Sequence, residues 1–242
     1  EDSFLAAVKP GDLLLLIQMQ GADTKVAPMS NTHGELLDSV TLNGAGQYEY
    51  VVVKNVLPVG IGTFTLDLDP NFALPTKRYP ASSATQLVLV PRYKKLVVNR
   101  LASLSASPWN NLTGGILIFH AVELLLDGTI DVSAKGFQGG AVKSDNPLLV
   151  GSRENYLDQA SYASAMSSHG GEKGEGIGGS GSQYDLRGGR YGRGSVANGG
   201  GGGNFWAAGG GGGANGVRMG MRPFWNGQGI IAPYTKPSPW EN

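Results

Sequence analysis

Apolar positions along the first 150 residues run in short blocks or alternate with polar ones, the spacing of strands rather than of helices. Asp12-Leu-Leu-Leu-Leu-Ile-Gln-Met-Gln20 begins as a continuous apolar run and then alternates, which predicts a strand buried on both faces near its start. Tyr48-Glu-Tyr-Val-Val-Val53 follows, then Thr63-Phe-Thr-Leu-Asp-Leu-Asp69, whose Phe64, Leu66 and Leu68 share one face. Gln86-Leu-Val-Leu-Val90 is closed by Pro91, which has no N–H to give a ladder. Lys95–Val98, Gly115–His120 and Val122–Leu126 continue the strand pattern. Asn43-Gly44, Asp69-Pro70 and Asp127-Gly128 supply turns between the runs. Only Glu154–Ser167 offers a short helical spacing, and it reads equally as a polar loop.

The stretch from Leu126 to Gly140 reads as strand, Asp-Gly turn, strand over Thr129–Ser133, then a glycine corner. Short strands joined by small corners are how β-solenoids turn, each coil lying on the one before. The same residues also suit a hairpin in a sandwich or barrel, because Asp-Gly is a strong hairpin signal. No fixed repeat period is visible, so both readings stand. The fold class expected is all-β, a β-solenoid or β-sandwich.

From Gly170 onward the polymer changes character. Many of the 39 glycines fall between Gly170 and Gly216, including the equal runs Gly199–Gly203 and Gly209–Gly213 around Asn204-Phe-Trp-Ala-Ala208. Such a segment is ordinarily a flexible linker, since glycine loses the most backbone entropy on ordering. The interspersed Tyr184, Tyr191, Phe205 and Trp206 argue for order instead, as does the equal length of the runs. Extended polyglycine-II helices lack Cβ atoms and can approach closely enough to bond to each other. The expected division is a β-rich domain over 1–150, a glycine-rich segment packed on or beside it over 151–220, and a Pro- and Trp-containing tail over 221–242.

Charge narrows the partners. Lys+Arg and Asp+Glu both number 19, so the chain has no electrostatic footprint for a phosphate backbone. Nucleic acid is not an expected partner, even though Arg187, Arg190 and Arg193 around Tyr191 have an RGG-like spacing. There are no cysteines, which removes thiolate chemistry and disulfides. The apolar run Leu13–Ile17 is too short for a membrane span. The chain opens at Glu1 with no signal-like segment, as a processed product or fragment would.

Candidate chemistry is sparse. His33, His120 and His169 show no zinc-enzyme spacing. Asp67 with Asp69, and Asp127 with Asp131, are the carboxylates that acid/base work on a glycan would need, and turn roles account for them equally. The glycine runs lack the Lys-Ser/Thr and the strand-to-helix setting of a phosphate cradle. No catalytic residue, metal ligand or cofactor is assigned. The contact candidates are the aromatics Trp206, Trp225 and Trp240, and the packing candidates are the run ends Gly199, Gly203, Gly209 and Gly213.

Four segments in order resemble the N-terminal region of large, glycine-rich, adhesin-like exported bacterial proteins. They are Gly11–Gln20 with Gly46–Tyr50, Val90–Tyr93 with Trp109–Ile116, Leu126–Gly140, and Lys173–Gly178. The chain departs from that pattern by ending in Pro223-Phe-Trp225 and Pro237-Ser-Pro-Trp240 rather than in further glycine repeats. The resemblance implies a secreted or surface location, a longer parent polypeptide and no catalytic residues. The expected role is a structural or adhesive module that self-associates or contacts neighbouring subunits, a surface glycan or outer-membrane secretion machinery. A glycan-active β-solenoid enzyme using the paired carboxylates is the alternative.

Overall fold

The computed structural model describes residues 8–29, 33–34, 42–60, 63–72, 74–80, 83–141, 162–166, 170–202 and 210. These are mostly strands, with one short helix. The chain forms two compact units that are not contiguous in sequence: Glu1–Met19 with Gly46–Gly136, and Gln20–Ala45 with Phe137–Asn242.

The first unit is all-β. Strands β1 (Leu13–Gln18), β2 (Tyr48–Gly60), β3 (Thr63–Leu68) and β4 (Thr85–Leu89) form an antiparallel sheet in the order β3-β2-β1-β4. Strand β1 is central and pairs on both edges, and its consecutive Leu14 and Leu15 are both buried. The long β2 serves two partners in turn, pairing with β1 over Tyr48–Val52 and with β3 from Val53 onward, with register shifts near Val53 and Pro58. Val8, Leu14, Val51 and Val53 make the core, and Leu66, Leu68, Val56 and Leu89 pack against it. The alternation read in Thr63–Leu68 therefore does face the core.

Past Pro91 the pairing changes from antiparallel to parallel. Strand β5 (Arg92–Val98) pairs with β7 (His120–Leu126), and the two-residue β6 (Ser103–Leu104) pairs with β8 (Thr129–Ile130). Arg92 lies beside His120 and Val98 beside Leu126, a constant shift of 28 positions, whereas Ser103 beside Thr129 is a shift of 26. The difference is the corner, which spans 99–102 in the first rung and only 127–128 in the second. Asp127-Gly128 thus joins strands that pair with the preceding rung and not with each other. A Cβ on Gly128 would stand 2.3 Å from the Ala102 carbonyl oxygen and 2.4 Å from that of Asn99, so the second corner nests against the first only with glycine there.

The second unit is largely irregular. Its short helix α1 (Gly181–Tyr184) runs into a 3-10 turn over Asp185–Arg187, and Gly188 closes it with φ 92°. Gln183 Oε1 accepts the Ser180 N–H at 2.8 Å, fixing the helix start. The helical spacing over Glu154–Ser167 is not realised where residues are described: 162–166 is non-helical, and Ser164 forms an antiparallel bridge with Tyr191.

Candidate functional site

Within the second unit the glycine-rich chain folds back on itself. Gly174 N–H donates to the Gly200 carbonyl at 2.9 Å, Gly192 N–H to Gly171 at 3.2 Å, and Gly202 N–H to Gly192 at 3.0 Å. Close approach requires the missing Cβ atoms. A Cβ on Gly202 would meet the Gly171 carbonyl oxygen at 2.0 Å, and one on Gly199 would meet that of Gly174 at 2.6 Å. Gly199, Gly201 and Gly202 are buried. Gly203, Gly209 and Gly213 lie outside the described residues, and so do Trp206, Trp225, Trp240 and His169.

At the centre of these loops is a residue the sequence did not single out. Lys173 is 1% exposed, and its ammonium donates to the carbonyls of Tyr162 at 2.5 Å, Gly192 at 3.0 Å, and Gly194. An ammonium has three protons, so three acceptors satisfy it. Burial pushes Lys173 down to about 7, and the three carbonyls work against that by favouring the charged form.

Other polar groups of this unit are buried too. His33 is 1% exposed; its Nδ1 accepts the Ala27 N–H at 3.1 Å, and Nε2 has no hydrogen-bond partner among the described residues. Burial first, then the charges of Lys173 and Arg187, lower His33 to about 4, so the imidazole is neutral at pH 7. The Arg193 guanidinium stacks over the Tyr162 ring with its carbon 4.1 Å from the centroid. Tyr184 is fully buried and donates its hydroxyl to the Gly179 and Gly174 carbonyls, at 2.8 and 3.2 Å.

The three arginines of the RGG-like stretch do not line one face. Arg187 donates to the Ala22 carbonyl and the Thr24 hydroxyl, Arg190 pairs with Asp185 at 2.5 Å, and Arg193 covers Tyr162. Each is engaged within the chain.

The candidate carboxylates of the first unit hold turns and a neighbouring strand. Asp69 Oδ1 accepts from the backbone and side chain of Asn71 at 2.9 and 3.1 Å. Asp131 Oδ1 accepts the Ser133 N–H at 2.8 Å, and bonds from Ser133 hold its carboxyl below the usual range. Asp67 accepts from Asn55 on β2 at 3.3 Å. His120 is exposed where β7 starts. Among the described residues no group of three His, Cys, Asp or Glu side chains could hold a metal ion, and no helix is long and apolar enough to cross a membrane.

Comparison with known proteins gives no guide to a ligand: no family model, no curated protein and no solved structure matches the chain. The distinguishing chemistry of the described residues is therefore backbone-to-backbone. It consists of two parallel rungs in register and a set of glycine loops tied to one ammonium.

Proposed function

We propose that the chain is a structural or adhesive module of a secreted or cell-surface bacterial protein, its paired rungs the start of a β-solenoid. The observation that carries this reading is the parallel pairing of 92–104 with 120–130, joined through a corner that does not form a hairpin. Coils that stack this way bury a core only against neighbouring coils, and the product is a rigid rod rather than a catalytic cleft. The glycine loops around Lys173 support the same role, since polar backbone that closes on itself makes a stiff element without a large apolar core. In this reading the glycine-rich segment is a packed element of polyglycine-II type, and Trp206, Trp225 and Trp240 would supply contact area for a glycan or a neighbouring subunit. The likeness of four segments to glycine-rich exported proteins points the same way.

The test is location. Intact bacterial cells expressing the parent polypeptide are treated with a membrane-impermeant amine-reactive label and then with protease. Labelling and cleavage of this region on intact cells is the expected result. Protection that persists until the cells are lysed would overturn the reading.

A further inference from the structure

The geometry points to the free edge of β7 as the seat of a second copy of this chain, which docks its β5 there and continues the parallel stack head to tail. The inference rests on the structural reading above and deepens it by naming the partner. Among the described residues β7 pairs with β5 alone, and β8 with β6 alone. Among the described residues the second rung is apolar and in large part open: Val122 is 79% exposed, and Leu124, Leu125, Leu126, Ile130 and Val132 are between 41% and 47% exposed. Successive side chains of a strand point to opposite faces. Exposure of Leu124, Leu125 and Leu126 in sequence therefore means that both faces of the rung are open. An uncovered apolar edge strand is a template for another strand.

Charge selects which strand. Strand β5 carries Arg92, Lys94 and Lys95, while β7 carries Glu123, and within the chain Lys95 already pairs with Glu123 at 2.8 Å. Two β5 edges brought together would oppose like charges, which destabilises a sheet. A β5 placed on the free side of β7 instead repeats a pairing the chain already makes. Glu123 gains a second lysine, and Leu124–Leu126 are covered by a second set of Leu96–Val98. Tyr93 and Val97 on β5 are themselves 40% and 44% exposed. Joining unlike edges is a head-to-tail contact, so each added copy leaves a further edge to fill and the product grows past a two-fold dimer.

Analytical ultracentrifugation of the purified full chain over a concentration series reads this directly. The expected result is species that grow past the dimer as concentration rises. By the constant register Lys94, between the paired Tyr93 and Lys95, falls level with Val122 of its own chain and, in the stack, of the next copy. Val122→Lys therefore sets an ammonium beside Lys94 of its own chain and against Lys94 of the next copy, and should weaken association by roughly tenfold or more. Val122→Glu, at the same exposed position, should associate at least as well as the unsubstituted chain. Thermal melting should fall slightly in Val122→Lys, from the like charge on its own Lys94, and not in Val122→Glu, showing that the fold survives in both. A chain that stays monomeric, a closed dimer, or equal loss in both variants would overturn the proposal. The two readings fail separately: polymerisation of pure protein with no surface labelling on cells would leave the stacking intact and displace only the location.

Discussion

Replacing Lys173 with Met keeps most of the stem and removes the ammonium from the glycine loops. The carbonyls of Tyr162, Gly192 and Gly194 would each lose this donor. A buried acceptor left without its donor costs about 1–3 kcal/mol, so the three together cost about 6 kcal/mol. Opposing them is the cost of burying the charge. A fall from 10.5 to about 7 corresponds to about 5 kcal/mol. The net expectation is a destabilisation of about 1 kcal/mol, the surplus of three unpaired carbonyls over the charge burial that Met relieves. Native-state hydrogen exchange at the amides of Gly174, Gly192, Gly194 and Gly202 is the sensitive assay. Their protection should fall by roughly fivefold in Lys173→Met if they open together. Unchanged or greater protection would refute the reasoning, because it would mean that the ammonium is merely tolerated and that an apolar stem packs as well.

The same lysine sets a pH dependence. Its folded value lies below its unfolded one, so between about pH 7 and 10.5 the unfolded state holds more protons and stability rises with pH. Urea unfolding should show that rise in the unsubstituted chain and lose it in Lys173→Met. His33 acts at lower pH by the same sign: folded at about 4 against 6.5, it contributes stability that is lost as pH falls from about 6.5 to 4. His33→Gln should flatten the urea midpoint over that range, and an unchanged slope would contradict the buried neutral imidazole. In the first unit, Gly128→Ala forces a methyl onto the Asn99 and Ala102 carbonyls and should cost about 1–3 kcal/mol in denaturant unfolding. Leu14→Ala, at a fully buried position of the central strand, should cost about 3 kcal/mol by the same measurement.

Much of the antiparallel sheet was legible from patterning, because half-buried strands write their burial as alternation. Phe64, Leu66 and Leu68 show it, and the continuous run at Leu13–Ile17 marked a strand buried on both faces near its start, where Leu14 and Leu15 are both buried. The parallel rungs were not legible as a repeat. Their corners differ in length, so the shift between equivalent residues changes from 28 to 26 and no fixed period appears. The excursion of residues 20–45 into the second unit left no local trace either, because it depends on distant partners such as Ile177, whose carbonyl accepts from Gly21 and Ala22 at 2.9 and 3.1 Å. Lys173 was hidden for a different reason. A lysine in a polar, glycine-rich stretch normally belongs to solvent, and only the three-dimensional convergence of three carbonyls makes it internal.

That convergence also sets how the loops respond to their medium. Three carbonyl oxygens gathered on a positive centre is an arrangement that elsewhere calls for a dissolved calcium or potassium ion. Here the cation is covalently attached to the loop it organises, so no chelator can extract it and dilution cannot empty its seat. The clasp at Lys173 should therefore hold equally in mineral-poor and mineral-rich surroundings, and a urea midpoint unmoved by excess EDTA is its simplest signature.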